Sequence, residues 1–178
     1  MRTIVLVAAL LLLAVAELLH AQSPDVIITE GTVKAPIDTV WRAWTTKEGI
    51  ESWMVAKTEI ELRIGALWRT SYNRDSNLDD DASIHQEILA FDPGRMLSFR
   101  TIKPPKGFPF PTAILKTWTV VYFEPVDSGQ TKITSRMMGY TGDAESQTMR
   151  AFFERGNKAT LDNFVRKVEE SAAGTTSK

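Results

Sequence analysis

The sequence predicts an α+β fold that combines one antiparallel sheet of about six to seven strands with two short helices and a long C-terminal helix. Three patterns predict this class. Apolar residues after the first strand recur at helical spacing, those in the middle of the chain alternate with a period of two, and the last long segment carries one apolar stripe without proline. No repeat or linker separates these segments, so we expect a single domain.

The domain begins with a strand and two short helices. Val26–Lys34 mixes β-branched and polar residues, as strands do. Pro36 follows and suits the first turn of a helix. Thr45 and Glu48 lie three residues apart, and this capping-box spacing predicts the start of a second helix. Apolar residues at helical spacing belong to both helices: Ile37, Val40, Trp41 and Trp44 in the first, and Ile50, Trp53 and Met54 in the second.

The remaining elements are strands, one loop and one helix. Six segments alternate as strands do: Thr58–Ile64, Ala66–Asn73, Ser83–Phe91, Met96–Ile102, Ala113–Glu124 and Thr131–Tyr140. Lys103–Pro111 contains four prolines, which cannot donate ladder bonds, and is predicted as a loop. Ala144–Glu170 predicts the long helix, with its stripe at Met149, Phe153, Asn157, Thr160, Phe164 and Val168. Ser171–Lys178 is small and polar and predicts a disordered tail.

The first 21 residues form a separate segment. Arg2 precedes an unbroken apolar run, Ile4–Ala16, which Glu17 interrupts before a small residue, Ala21. The run is too short to cross a hydrocarbon core of roughly 30 Å. The pattern therefore predicts a signal peptide over Met1–Ala21, cleavage near Ala21, export to the periplasm or the medium, and no stable membrane insertion afterwards. An uncleaved amphipathic anchor is the alternative.

Composition excludes several kinds of site and partner. The chain has no cysteine, and His85 is the one histidine beyond the predicted leader, which excludes thiolate chemistry, iron–sulfur clusters and multi-histidine metal sites. A net charge of −1 without a basic block argues against nucleic acid as a partner. Glycine-rich phosphate loops and nucleophile elbows are absent from the sequence. We therefore predict no cofactor and no metal.

An acidic stretch has two interpretations. Asp75, Asn77 and Asp79 match the first three ligand positions of a calcium-binding EF-hand loop. However, Asp80 stands where the loop needs glycine, and Gln86 stands where it needs a bidentate glutamate. We expect a solvated hairpin tip.

The order of the elements and four local motifs resemble a known superfamily. The motifs are Val33–Trp44 followed by Trp53, Gly65–Trp68, Glu87–Leu97 and Gly129–Thr134. Together they resemble the START-like (SRPBCC) superfamily and, within it, the family named after the activator of the heat-shock-protein-90 ATPase. The resemblance implies a helix-grip fold over residues 22–170, in which a curved antiparallel sheet wraps around the long C-terminal helix and leaves a cavity between them.

Members of this superfamily bind lipids, hormones or polyketides in that cavity, and some carry out cyclisation or hydrolysis there. The first expectation is therefore an exported protein that binds a small hydrophobic or aromatic molecule. The second is an enzyme of the cyclase or hydrolase kind, and the third is a protein-interaction module that presents its sheet surface. The activator that names the family is cytosolic and ATP-dependent, so predicted export argues against a chaperone partner.

The candidate ligand-binding residues are aromatic or polar side chains that this fold can direct towards a cavity: Trp53, Trp68, Tyr72, Phe99, Phe110, Trp118, Phe153 and Asn157. Core packing is the alternative for each aromatic residue. We expect Trp68 and Tyr72 to face the helix and Arg69 to face outward.

Three further features of the sequence point to function. Gly156 and Asn157 interrupt the helical stripe, either to let a strand approach or to leave space. Phe108, with the candidate Phe110, predicts a lid in the proline-rich loop. His85 and Glu87 share a strand face and are the catalytic candidates as an acid–base pair, with a solvent-facing ion pair as the alternative.

Overall fold

The computed structural model describes residues 26–175, so the predicted leader Met1–Ala21 lies outside the described residues. The strands are β1 (Ile27–Val33), β2 (Lys57–Ile60), β3 (Leu67–Ser71), β4 (Ile84–Asp92), β5 (Met96–Lys103), β6 (Trp118–Asp127) and β7 (Gln130–Met138). The helices are α1 (Ile37–Thr45), α2 (Lys47–Trp53) and α3 (Ala144–Thr175). The strands form one antiparallel sheet in the order β1-β7-β6-β5-β4-β3-β2. This architecture confirms the predicted α+β helix-grip fold.

A single residue, Thr46, separates the two short helices. Its hydroxyl oxygen accepts a hydrogen bond from the backbone N–H of Gly49 at 3.1 Å and caps α2. The prediction of Thr45 as the cap was wrong by one residue. Thr45 still belongs to α1, where its hydroxyl donates to the carbonyl oxygen of Trp41 at 2.7 Å.

The predicted strand Ala113–Glu124 begins later than expected. Ile114–Lys116 forms a short 3-10 helix, and β6 starts at Trp118. The backbone N–H groups of Thr112 and Ala113 both donate to the Glu145 carboxylate at 3.1 Å, so they are not available to a strand ladder. This contact joins the end of the proline-rich loop to the first turn of α3.

Helix α3 lies against the inner face of the sheet with the two ends of the predicted stripe buried, whereas Phe153 and Asn157 in its middle are half-buried and Thr160 is exposed. Met149, Phe164 and Val168 are buried along it, together with Leu161. The helix continues to Thr175, beyond its predicted end at Glu170. Within the described residues, no helix is long and apolar enough to cross a membrane.

The buried apolar residues form two clusters rather than one. The larger cluster joins α1, α2 and the C-terminal half of α3 to the sheet, and it includes Trp44, Trp53 and Phe164. The smaller cluster gathers Met149 on α3 with Met137 and other residues at the opposite end of the sheet. The two clusters are therefore separated along the length of α3.

Candidate functional site

A cavity of about 230 Å³ lies between α3 and the inner face of the sheet, where the two clusters face each other. Trp44, Val121 and Leu161 of the larger cluster form part of its wall. Ile114 and Met137 of the smaller cluster form another part. The volume is below the roughly 300–1,000 Å³ of pockets for drug-sized ligands, so the cavity suits a small molecule.

The sheet contributes a diagonal row of uncharged polar side chains to the cavity. Gln86 on β4 and Thr101 on β5 are register partners, and Thr119 on β6 and Ser135 on β7 continue the row across the sheet. Among the described residues, none of these four side chains finds a hydrogen-bond partner. Their capacity to donate and accept is therefore open to a bound molecule.

Helix α3 faces this row with Phe153, Asn157, Thr160 and Leu161. The side-chain amide of Asn157 makes a long contact of 3.9 Å with the sulfur of Met137, a weak acceptor. A Cβ atom built on Gly156 would meet nothing within 4 Å. No strand therefore approaches Gly156, and of these two residues Asn157 is the one that lines the cavity.

One end of the cavity opens beside Tyr72, which follows the last residue of β3. Tyr72 is 75% exposed, so it stands at the mouth and not in the interior. A second hollow of about 280 Å³ adjoins this mouth and shares Met54, Tyr72 and Thr160 with the cavity. Trp53, Ala159 and Asn163 complete its wall. The mouth and the hollow therefore lie between the C-terminal end of α2 and α3.

The other end is covered by the proline-rich loop. Phe108 and Phe110 contact each other with ring centroids 5.7 Å apart, and both pack against rings of α3. Phe108 lies 6.3 Å from Phe153, which lines the cavity, and Phe110 lies 5.7 Å from Phe152. The aromatic loop occupies the position expected of a lid.

The structure brings four of the predicted ligand-binding residues to the cavity: Tyr72, Phe99, Phe153 and Asn157. Trp53 lines the adjoining hollow, and its indole N–H donates to the carbonyl oxygen of Ala43 at 2.9 Å.

The other three predicted residues lie elsewhere. Trp68 does face the helix side of the sheet, but it is fully buried and its indole N–H donates to the hydroxyl of Thr58 at 3.0 Å. Phe110 belongs to the loop cluster that covers the cavity. Trp118 lies on the outer face of the sheet and is 39% exposed. Strand parity explains this position, because the buried residues of β6, Val121 and Phe123, have the opposite parity.

Sequence reasoning missed the polar row and one aromatic residue. Thr119 shares its parity with Val121 and Phe123, and this alternation was the signal available in the sequence. Trp44, which the sequence places on the apolar face of α1, also lines the cavity. Its indole nitrogen is buried without a hydrogen-bond partner in the described structure, and it packs beside the rings of Trp53 and Phe164.

The catalytic candidates lie on the outer face of the sheet. His85 pairs in register with Arg69, and Glu87 with Leu67, whereas Gln86 between them faces the cavity. The Nε2–H of His85 donates to a backbone carbonyl oxygen at 2.8 Å, and Glu87 forms an ion pair with Arg100 at 2.7 Å. Within the described lining of the cavity there is no carboxylate, imidazole, amine or guanidinium, and Tyr72 carries its one ionisable group.

The acidic stretch forms an ordered loop beside this outer face. The Asp80 carboxylate accepts from the hydroxyls of Ser76 and Ser83 at 2.7 Å, and these bonds lower its pKa. Lys57 and Lys103 donate to the carbonyl oxygens of Ser76 and Asp80. No group of three or more acidic, histidine or cysteine side chains is placed to hold a metal in the described part of the chain.

Comparisons with known proteins agree on the fold. Residues 34–169 match the family model described as activator of Hsp90 ATPase homolog 1-like protein. A search of curated proteins finds no match.

Several solved structures have the same architecture at low sequence identity. Protein MLL2253 from Mesorhizobium loti is similar with a TM-score of 0.64 and 17% identity, over 82% of this chain and 97% of that one. The Aha1 dimer from Colwellia psychrerythraea is similar with a TM-score of 0.63 and 13% identity, over 81% of this chain and 96% of that one. CalU16 from Micromonospora echinospora is similar with a TM-score of 0.59 and 18% identity, over 83% of this chain and 78% of that one. At these identities the likeness concerns the fold alone.

Proposed function

The chain belongs to the family of activator of Hsp90 ATPase homolog 1-like proteins, and from the cavity that this fold encloses we propose that it binds a small apolar or aromatic molecule between the sheet and α3. One observation carries the proposal. The cavity interrupts the core at the level where α3 has Asn157 in place of a large apolar residue. Phe99 and Phe153 contribute aromatic surface from opposite walls.

The composition of the wall favours binding over catalysis. A cyclase or hydrolase of the kind first considered needs a general acid or base in reach of its substrate. The described lining provides hydroxyl and amide groups, and Tyr72 at the mouth is its one ionisable residue. His85 and Glu87 lie on the opposite face of the sheet with partners of their own. These features support the binding proposal.

A cavity-filling variant tests this proposal. Thr119→Phe places a phenyl ring where the hydroxyl of Thr119 faces the cavity, and we expect it to abolish saturable binding of a lipophilic fluorescent dye. Val120→Phe is the matched control, because it adds the same ring one residue along β6 with outward parity. Circular dichroism shows whether both variants keep the fold. Equal dye binding by the wild type and both variants contradicts the cavity as the site.

The outer face of the sheet supports a second function, association between copies of the chain. Trp118 and Tyr122 are 39% and 41% exposed in one row of β6, and Ile28 on β1 is 53% exposed on the same face. An exposed apolar surface of this kind is typical of interaction sites. One similar structure is described as a dimer. Sedimentation equilibrium of the wild type and Trp118→Lys tests this function: a monomeric wild type contradicts it.

We also propose that the protein is exported after cleavage near Ala21. The proposal rests on Arg2, the apolar run Ile4–Ala16 and the small residue at the predicted cleavage site. Export separates the protein from cytosolic chaperones, which is why a chaperone partner is not proposed. N-terminal sequencing after expression of the full chain tests this directly: a product that begins at Met1 contradicts cleavage.

A further inference from the structure

We infer that the ligand of this cavity is an uncharged ring compound whose hydrogen-bonding groups lie along the sheet. The inference rests on the proposed binding function and specifies its substrate class. It follows from three properties of the wall, which are its polar row, its lack of charge and its size.

The polar row occupies one wall. Gln86, Thr101, Thr119 and Ser135 come from four adjacent strands and lie on one diagonal of the sheet. Hydroxyl and amide groups can both donate and accept, so the row suits ligand hydroxyls, carbonyls or ethers. Each matched hydrogen bond to such a group raises affinity about twofold to tenfold.

The wall contains no partner for a charged ligand. Among the described residues that line it, no lysine, arginine or histidine is present to neutralise a carboxylate. On the strands, Arg69, Arg100 and Arg136 have outward parity. Arg69 and Arg100 are ion-paired with Asp79 and Glu87. A buried charge without a partner loses its hydration without compensation. We therefore expect carboxylates, fatty acids included, to bind weakly.

The size and the apolar surfaces indicate rings. A dry apolar cavity of about 150 Å³ holds one benzene molecule, so a cavity of about 230 Å³ has room for about nine non-hydrogen atoms. This number corresponds to one ring with a substituent or to two fused rings. Phe99 on the sheet and Phe153 on α3 provide faces and edges for such a ring.

Calorimetry with three matched probes tests the inference. Toluene, benzyl alcohol and benzoate share one phenyl ring, differ in polarity and charge at pH 7, and stay within about nine non-hydrogen atoms. We expect benzyl alcohol to bind most tightly and benzoate to bind at least tenfold more weakly. Thr101→Val and Thr119→Val remove one hydroxyl each with little change of shape. We expect at least one of them to weaken benzyl alcohol binding about threefold to tenfold and to leave toluene binding unchanged.

The control and the other outcomes separate this inference from the proposal beneath it. Thr32→Val changes the same residue type on the outer face of β1 and should leave all three affinities unchanged. Tighter or equal binding of benzoate overturns the inference but leaves the binding function standing. An equal loss for toluene and benzyl alcohol in the valine variants also overturns it. No saturable heat with any of the three probes contradicts the binding function as well.

Discussion

Replacing glycine by alanine at two helical positions should change the stability of this protein with opposite sign. Gly49 lies in α2 and Gly156 in α3. A Cβ atom at Gly49 would lie 2.2 Å from the carbonyl oxygen of Arg42 and 2.6 Å from the Cα atom of Ala43. Both are backbone atoms of α1, so no rotamer change relieves the clash. A Cβ atom at Gly156 would meet nothing within 4 Å.

The expected free-energy changes follow from these contacts. Overpacking costs about 1–3 kcal/mol, and Gly49→Ala should reach about 3 kcal/mol because the two short helices must separate. Gly156→Ala should stabilise the fold by about 1 kcal/mol, since alanine is the better helix former. Urea unfolding followed by circular dichroism measures both changes. Unchanged stability of Gly49→Ala contradicts the close approach of α1 and α2, and a loss in Gly156→Ala contradicts the open space beside α3.

The same pair of variants connects the packing of α1 and α2 to the cavity. Trp44 in the cavity wall and Trp53 in the adjoining hollow have ring centroids 4.9 Å apart, and this distance depends on the contact at Gly49. We expect Gly49→Ala to weaken ligand binding and Gly156→Ala to leave it unchanged. Calorimetry with benzyl alcohol measures this difference. Unchanged affinity in a folded Gly49→Ala variant contradicts the connection.

Three further substitutions test other contacts. Gly139→Ala should destabilise the fold by about 2 kcal/mol or more in urea unfolding, since φ is +94° and the added Cβ lies 2.3 Å from the Lys116 carbonyl oxygen. Trp53→Phe leaves the Ala43 carbonyl oxygen without its donor and should cost about 1–3 kcal/mol in thermal unfolding. Burial raises the pKa of the Tyr140 phenol above that of the unfolded chain, which is about 10. The neutral phenol therefore contributes its full stability below about pH 10, and this contribution is lost as the pH rises above that value. Tyr140→Phe should flatten the fall of unfolding free energy between pH 9 and 11, and an unchanged slope refutes this.

The order of the elements could be predicted because it depends on burial along single segments. Met149, Phe164 and Val168 keep helical spacing in the sequence, and all three are buried on α3. The helix cap differed by one residue because Thr45 and Thr46 are both suitable caps. Only the contact between Gly49 and the end of α1 selects Thr46.

The cavity residues were harder to predict because both faces of some strands carry large apolar side chains. On β6, Trp118 and Tyr122 have one parity, and Val121 and Phe123 have the other. Aromatic burial favours either assignment when only one strand is considered. Pairing with β5 and β7, together with α3 on one side of the sheet, buries Val121 and Phe123 and leaves Trp118 outside. This choice also turns Thr119 into the cavity, and it depends on long-range contacts that local alternation does not contain.

Two independent walls produce the cavity, and this distinguishes it from a local packing defect. The sheet contributes Thr119 and Ser135 where larger apolar residues would fill the space, and α3 contributes Asn157 at the same level. A sealed void of about 230 Å³ costs about 5.5 kcal/mol at 24 cal/mol per Å³, and this cavity costs less because it opens beside Tyr72. Thr119→Leu combined with Asn157→Leu should therefore raise the unfolding free energy by about 1–2 kcal/mol and abolish ligand binding. If the double variant is stabilised as expected but still binds the ligand, the cavity is not the binding site. A loss of stability shows instead that the polar residues hold the two walls together.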